Sequence, residues 1–110
     1  MDSSDNIFFT NFTVIGPIED NLFPKYVKDL AAVAGVKGYV FFDSHRDVYV
    51  GHIEGSLEKL QKFEKFFRLQ VNFYLLKLLF DDPKETRSLY CNTFEVLTFE
   101  NIWDTYNGAN

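Results

Sequence analysis

Hydrophobic and polar positions along the first third of the chain predict a strand followed by a helix. Residues Ile7 to Ile15 (IFFTNFTVI) are rich in aromatic and β-branched side chains, and Gly16-Pro17 follows directly, which is typical of a strand that ends in a turn. From Phe23 onward, apolar side chains recur with the spacing of one helical face. Gly35 is the residue type that commonly ends such a helix.

A hairpin and a second helix are predicted next. Val36 to Phe42 and Val48 to Ile53 flank a short polar stretch, which indicates two antiparallel strands joined by a turn. Ser56 is a favourable N-cap for a helix that follows it. The apolar face of this helix consists of Leu57, Leu60, Phe63 and Phe67.

The remainder of the chain predicts two more strands. Val71 to Phe80 reads as the fourth strand, Asp81-Asp82-Pro83 as its turn, and Thr93 to Phe99 as a fifth strand. The order β-α-β-β-α-β predicts a ferredoxin-like α+β sandwich, in which two helices pack on one face of an antiparallel sheet that the fifth strand extends. The 110 residues suffice for one domain, with a core at about residues 7–99 and a tail at residues 100–110.

Both sets of alternate positions in the second and third strands are apolar, although a sheet with one face in water normally alternates apolar and polar residues. We therefore expect the face away from the helices to be covered by the aromatic C-terminal tail, a second copy of the chain or another protein. The interface candidates are Tyr39, Phe41, Val48, Val50, His52, Tyr74, Leu76, Trp103 and Tyr106.

Net charge and cysteine content indicate which partners and which cellular compartment to expect. Eleven Lys+Arg against sixteen Asp+Glu give a net charge of -5, which disfavours binding to nucleic acid or anionic membranes. No apolar run is long enough to span a membrane. The single cysteine, Cys91, cannot form an internal disulfide, and with no secretory signal we expect a cytoplasmic or nuclear protein. Its two histidines and one cysteine lie well apart in sequence, so we expect no metal and no cofactor.

Several short motifs resemble those of acylphosphatases. The stretch from Val14 to Pro24 (VIGPIEDNLFP) is similar to the family's first loop, approximately V-x-G-x-V-Q-G-V-x-F-R. Ala31 to Val40 matches A-x-x-x-G-V-x-G-W-V with Tyr39 at the tryptophan, Gly51 to Gly55 matches G-x-V-x-G, and Phe94 to Val96 matches F-x-[VI]. The resemblance covers about residues 12–99, with one extra residue in the hairpin loop, and implies the same ferredoxin-like fold.

The resemblance also identifies positions where catalytic residues would lie. Acylphosphatases hydrolyse acyl phosphates without a metal or a covalent intermediate; loop amides and one arginine bind the phosphate, and one asparagine orients the attacking water. Pro24 occupies the arginine position and Phe42 the asparagine position, while Glu19 and Asp20 replace Gln-Gly in the loop. Like charges about 4 Å apart repel by roughly 4 kcal/mol at an effective dielectric of about 20. We therefore expect no catalysis by a degenerate phosphate loop made of Gly16, Pro17, Ile18, Glu19, Asp20, Asn21, Leu22 and Phe23.

Three functional hypotheses follow. The favoured one is a non-catalytic acylphosphatase-like module that binds a protein partner or a second copy of the chain. An alternative is an acylphosphatase with a non-standard site, in which Lys25, His45 or Arg46 substitutes for the missing groups. A further alternative is an RNA binder, because the RNA-recognition motif shares this element order. Ile7 to Phe12 resembles its first-strand signature. Lys37 to Phe42 resembles part of its second signature, but this segment lies on the second strand, whereas the motif carries that signature on the third.

Overall fold

Eight elements follow one another in the part of the chain that the computed structural model describes, which is residues 6–16, 23–73 and 77–97, without the side chains of residues 70–73. In chain order they are β1 (Ile7–Ile15), α1 (Phe23–Ala34), β2 (Lys37–Asp43), β3 (Val48–Gly55), α2 (Leu57–Phe73), β4 (Lys77–Phe80), β5 (Lys84–Thr86) and β6 (Phe94–Val96). No helix within these ranges is long and apolar enough to cross a membrane.

The strands form one sheet in the order β4-β1-β3-β2-β6, and β5 also pairs with β1. The β1, β2, β3 and β4 pairings are antiparallel, whereas β6 lies parallel to β2. This arrangement confirms the ferredoxin-like α+β fold with an added fifth strand. The sheet is therefore mixed, because the added strand β6 runs in the same direction as its neighbour β2.

Both helices pack on one face of the sheet around Phe12. The Phe12 ring lies 5.6 Å from the ring of Phe63, 5.4 Å from that of Phe67 and 5.4 Å from that of Phe80. Gly51 lies opposite Phe12, and a Cβ at Gly51 would overlap the ring. Each buried phenylalanine contributes about 1.5–3 kcal/mol of hydrophobic stabilisation. The buried hydrophobic cluster also includes Val14, Val27, Leu30, Ala31, Ala34, Val36, Val40, Ile53, Leu60, Leu78 and Phe94.

The predicted strand from Val71 to Phe80 is wrong in its first part. Helix α2 continues to Phe73, and within the described residues β4 comprises Lys77–Phe80. Val71 lies four residues after Phe67 and so extends the helical spacing of the apolar face, which outweighs the β-propensity of the local sequence. The predicted last strand, Thr93 to Phe99, is shorter within the described residues, since β6 comprises Phe94–Val96.

The predicted turn at Asp81-Asp82-Pro83 is an interruption in a continuing strand, since β4 and β5 both pair antiparallel with β1. The register shifts by one residue between the Phe12↔Phe80 and Phe9↔Lys84 pairs, which is the geometry of a β-bulge. Proline cannot donate a ladder hydrogen bond and is therefore tolerated at such a position. The hydroxyl of Thr10 donates to the carbonyl of Asp81 at 2.6 Å within the bulge.

Candidate functional site

The open face is the side of the sheet opposite the helices, and its centre consists of Phe9, Tyr39, Phe41, Val50 and His52. The register places Tyr39 beside His52 and Phe41 beside Val50. The rings of Tyr39 and His52 stack at 5.2 Å, the Phe9 ring lies 5.7 Å from His52, and the Phe41 ring lies 6.2 Å from Tyr39. A chain of ring contacts therefore crosses three neighbouring strands.

The open face brings together five of the predicted interface residues. Four of them are partly exposed, whereas Val48 is buried. Phe9 was not among the predicted interface residues. The signal was available, because side chains alternate between the two faces along β1, and Phe12 and Val14 are buried on the helical side, which places Phe9 on the open face. The five residues are Tyr39, Phe41, Val48, Val50 and His52; the predicted Tyr74, Leu76, Trp103 and Tyr106 lie outside the described residues.

A hydrogen-bonded network lies beside these rings at the end of β3. The Nδ1 atom of His52 lies 2.9 Å from Oδ1 of Asn11, and its Nε2 atom lies 2.6 Å from Oε2 of Glu54. The other carboxylate oxygen of Glu54 accepts the backbone N–H groups of Tyr90 at 2.8 Å and Cys91 at 3.0 Å. Glu54 is fully buried. The network thus joins the β5–β6 connection, residues 87–93, to the centre of the sheet.

The network shifts the pKa of two side chains in opposite directions. Burial raises the pKa of Glu54, but the hydrogen bonds from His52, Cys91 and Tyr90 outweigh it and leave this pKa below its ordinary value of 4.5. Burial, followed by the charge and hydrogen bond of Glu54, raises the pKa of the Cys91 thiol to about 11. Cys91 therefore carries its proton at neutral pH and is a poor nucleophile.

Glu54 and Cys91 were not identified from the sequence as site residues. They lie 37 residues apart, and no motif spacing connects them. The alternation along β3 was the available signal, because it places the carboxylate of Glu54 on the same side of the strand as His52. Only the crossing of the β5–β6 connection over β3 brings Cys91 to the same place.

Pro24 and Phe42, the two positions that the sequence resemblance assigned to catalytic residues, lie on different elements. Pro24 lies in the first turn of α1, and Phe42 lies near the end of β2. The Phe42 ring contacts Tyr49 at 5.1 Å, and the Tyr49 ring contacts Phe23 at 4.9 Å. Of the predicted phosphate loop, Gly16 and Phe23 are described, whereas residues 17–22 lie outside the described residues.

The β2–β3 turn holds two of the suggested substitute groups against Asp43. The backbone N–H groups of His45 and Arg46 donate to Oδ1 of Asp43, and Nε of Arg46 donates to Oδ2 at 2.9 Å. The hydrogen bond from the Arg46 side chain holds the pKa of Asp43 below its ordinary value despite some desolvation. Lys25, the third suggested group, is exposed in α1. The guanidinium of Arg46 is thus already engaged by a carboxylate.

Comparison with known proteins identifies the fold and no family. No family model and no curated protein matches the chain. An acylphosphatase from Coxiella burnetii is 16% identical with a TM-score of 0.61, and the match covers 84% of this chain and 94% of that chain. An acylphosphatase from Bacillus subtilis is 19% identical with a TM-score of 0.60, covering 82% of this chain and 98% of that one. The chain therefore has an acylphosphatase-like fold.

Two larger proteins contain the same fold. Full-length HypF in a phosphate- and nucleotide-bound form is 15% identical with a TM-score of 0.62, and the match covers 84% of this chain but only 12% of HypF. A bacterial light-regulated adenylyl cyclase is 9% identical with a TM-score of 0.61, and the match covers 94% of this chain and 34% of the cyclase. Since these proteins differ in function, the shared fold does not by itself define an activity.

Proposed function

We propose that this chain is a non-catalytic, acylphosphatase-like protein-interaction module, and that its open face binds a second copy of the chain. The observation that carries the proposal is the chain of ring contacts from Phe9 through His52 and Tyr39 to Phe41. Partly exposed aromatic side chains supply large contact areas at protein interfaces. A contiguous apolar patch on a soluble domain commonly marks an interaction surface.

The charges on the open face support a second copy as the partner. The whole chain carries a net charge of -5, so most pairs of surfaces from two copies repel each other. The accessible charged positions that point to the open face instead include both signs, three lysines and two carboxylates, and two such faces can meet with little net repulsion. These positions are Lys37, Lys77, Lys84, Asp43 and Glu95; Glu54 points the same way but is fully buried.

The absence of catalysis is part of the proposal, and three features support it. Pro24 and Phe42 occupy the positions of the family's arginine and asparagine. A phosphoryl group in its transition state needs amide or cationic donors, and neither a proline nor a phenylalanine side chain provides one. The ion pair with Asp43 engages Arg46, one of the candidates for a replacement cation.

Sedimentation velocity across a concentration series tests the association. The wild-type chain is expected to shift from monomer to dimer, whereas Phe41→Asp is expected to remain monomeric because a carboxylate would be buried without a partner. Phe66→Asp is the control, since Phe66 is an exposed phenylalanine on α2, 38% accessible, on the helical side of the sheet. Circular dichroism confirms that both variants are folded. A wild-type chain that stays monomeric throughout overturns the proposal.

Fluorescence distinguishes the dimer from coverage of the open face by the chain's own tail. Trp103 is the single tryptophan and lies in that tail. If the tail covered the face, Phe41→Asp would change Trp103 emission at every concentration, including those at which wild type is monomeric. If the open face is a dimer interface, Trp103 emission of the wild-type chain changes only over the concentrations at which sedimentation shows the dimer forming.

Hydrolysis of acetyl or benzoyl phosphate tests the non-catalytic part of the proposal. We expect no turnover above the uncatalysed rate. Turnover that Lys25→Ala or Arg46→Ala abolishes, with Lys28→Ala as an exposed control on the same helix as Lys25, would establish a non-standard acylphosphatase instead.

A further inference from the structure

Three side chains of different chemistry meet beneath the β5–β6 connection. The ligand atoms of His52, Glu54 and Cys91 all lie within 4.8 Å of one another. Two of these residues come from one strand, on the same side of β3, and the third comes from the connection that crosses it. A fold that needed only packing at this point could use apolar side chains, since a buried carboxylate is costly unless it is fully satisfied.

The orientation of the His52 ring leaves one of its nitrogens facing the carboxylate. Nδ1 of His52 lies 2.9 Å from Oδ1 of Asn11, and this contact holds the ring with Nε2 only 2.6 Å from Oε2 of Glu54. Imidazole nitrogen and carboxylate oxygen are both ligand types that a metal ion takes.

The three donors form a set typical of zinc. Imidazole nitrogen, thiolate sulfur and carboxylate oxygen are the ligand types of Zn²⁺, and a tetrahedral site needs them roughly 3–4 Å apart. To reach that spacing, Nε2 and Oε2, now 2.6 Å apart, must separate, and ligand atoms that lie up to 4.8 Å apart must approach each other. The hydrogen bond from Nδ1 to Asn11 provides the outer contact that commonly fixes a metal-binding histidine.

We propose that His52, Glu54 and Cys91 form a zinc-binding site with three protein ligands and a fourth position for water. His52 is partly accessible and Cys91 is not fully buried, so an ion can reach the cluster from solvent. Bound zinc would replace the proton of the Cys91 thiol and attach the β5–β6 connection to β3 directly. This inference is independent of the proposed dimer, since a monomer presents the same three ligands.

Metal titration of the full chain tests the site under reducing conditions. We expect one equivalent of Zn²⁺ to bind, and Co²⁺ to give a tetrahedral spectrum with a sulfur-to-cobalt charge-transfer band. Cys91→Ser is expected to remove that band, and both Cys91→Ser and His52→Gln are expected to weaken zinc binding by more than about ten-fold. His45→Gln is the matched control, because His45 is the other histidine and lies exposed in the β2–β3 turn. This control is expected to bind like wild type.

The test of the zinc site uses two cluster variants, so it does not depend on the folding of either one alone. Cys91→Ser changes a single atom, and circular dichroism verifies its fold before the titration. Stoichiometric zinc binding that both cluster variants weaken, and that His45→Gln leaves unchanged, supports the site. No stoichiometric binding to wild type, or binding that the cluster variants leave unchanged, overturns it. Ca²⁺ and Mg²⁺ serve as oxygen-preferring probes and are expected not to compete.

Discussion

At the scale of single residues, Glu54 connects the end of β3 to the β5–β6 connection. Its two oxygens accept hydrogen bonds from the N–H groups of Tyr90 and Cys91 and contact the His52 ring. None of the buried polar side-chain atoms in the described part of the chain lacks a hydrogen-bond partner. The sequence predicted a strand that ends at Ile53, one residue before Glu54, and nothing in a strand pattern shows that a distant connection will supply donors to this carboxylate.

Glu54→Gln is expected to lower the free energy of unfolding by about 1–3 kcal/mol, because a neutral amide replaces the charged acceptor of the Tyr90 and Cys91 N–H groups. Urea unfolding at neutral pH in a chelating buffer measures the change. Glu95→Gln, at an exposed position on β6, is the control and is expected to change stability by less than about 0.5 kcal/mol. Equal effects of the two variants would contradict this account of the network.

The loss of stability in Glu54→Gln relative to wild type has a predicted pH dependence. The folded state holds the pKa of Glu54 below its ordinary value of 4.5, so ionised Glu54 stabilises the fold above that value. This contribution is lost as the pH falls through the folded pKa. The difference in unfolding free energy between wild type and Glu54→Gln should therefore shrink as the pH is lowered below 4.5. A difference that stays constant under acid would contradict the assigned pKa shift.

At the scale of elements, the sequence predicts the type of each long element well and their ends less well. Strand β1 matches its predicted bounds, and α1 ends at the residue before Gly35 as expected. Helix α2 extends six residues beyond its last predicted apolar position, Phe67. Short apolar runs such as that after Gln70 are ambiguous between helix and strand, so tertiary packing decides where the helix ends.

The beginning of α2 depends on a cap that the sequence identified. The N–H of Lys59 donates to Oγ of Ser56 at 3.3 Å. Ser56→Ala is expected to destabilise the protein by about 1 kcal/mol because this N–H loses its acceptor. Ser56→Asp should retain most of the stability, since its carboxylate can accept the same hydrogen bond. Thermal unfolding of the three proteins measures the order, and equal losses in both variants would contradict the cap.

At the scale of the whole molecule, the fold is compatible with several functions, and net charge separates some of them. The open face carries aromatic side chains on three neighbouring strands, a feature that RNA-recognition motifs also use. An RNA-binding surface, however, needs a basic field to attract phosphates. This chain has five more acidic than basic residues.

We expect the chain to show no retention on immobilised homopolymeric RNA at low salt. Repulsion between the net charge of -5 and the phosphate backbone opposes binding even where aromatic side chains could stack on bases. A filter-binding or column assay measures retention across a salt series. Retention at low salt that decreases as salt rises would contradict the expectation and favour an RNA-binding function.

The sequence by itself determined the order of elements apart from the short strand β5, the apolar character of both sheet faces and the resemblance to acylphosphatases, because these depend on local periodicity and on composition. Only the tertiary structure decided the end of α2, the bulge between β4 and β5, and the meeting of Cys91 with His52 and Glu54. These features depend on contacts between residues far apart in the chain. Local sequence patterns carry little information about such contacts, since the free energy that selects them arises only when the whole sheet is assembled.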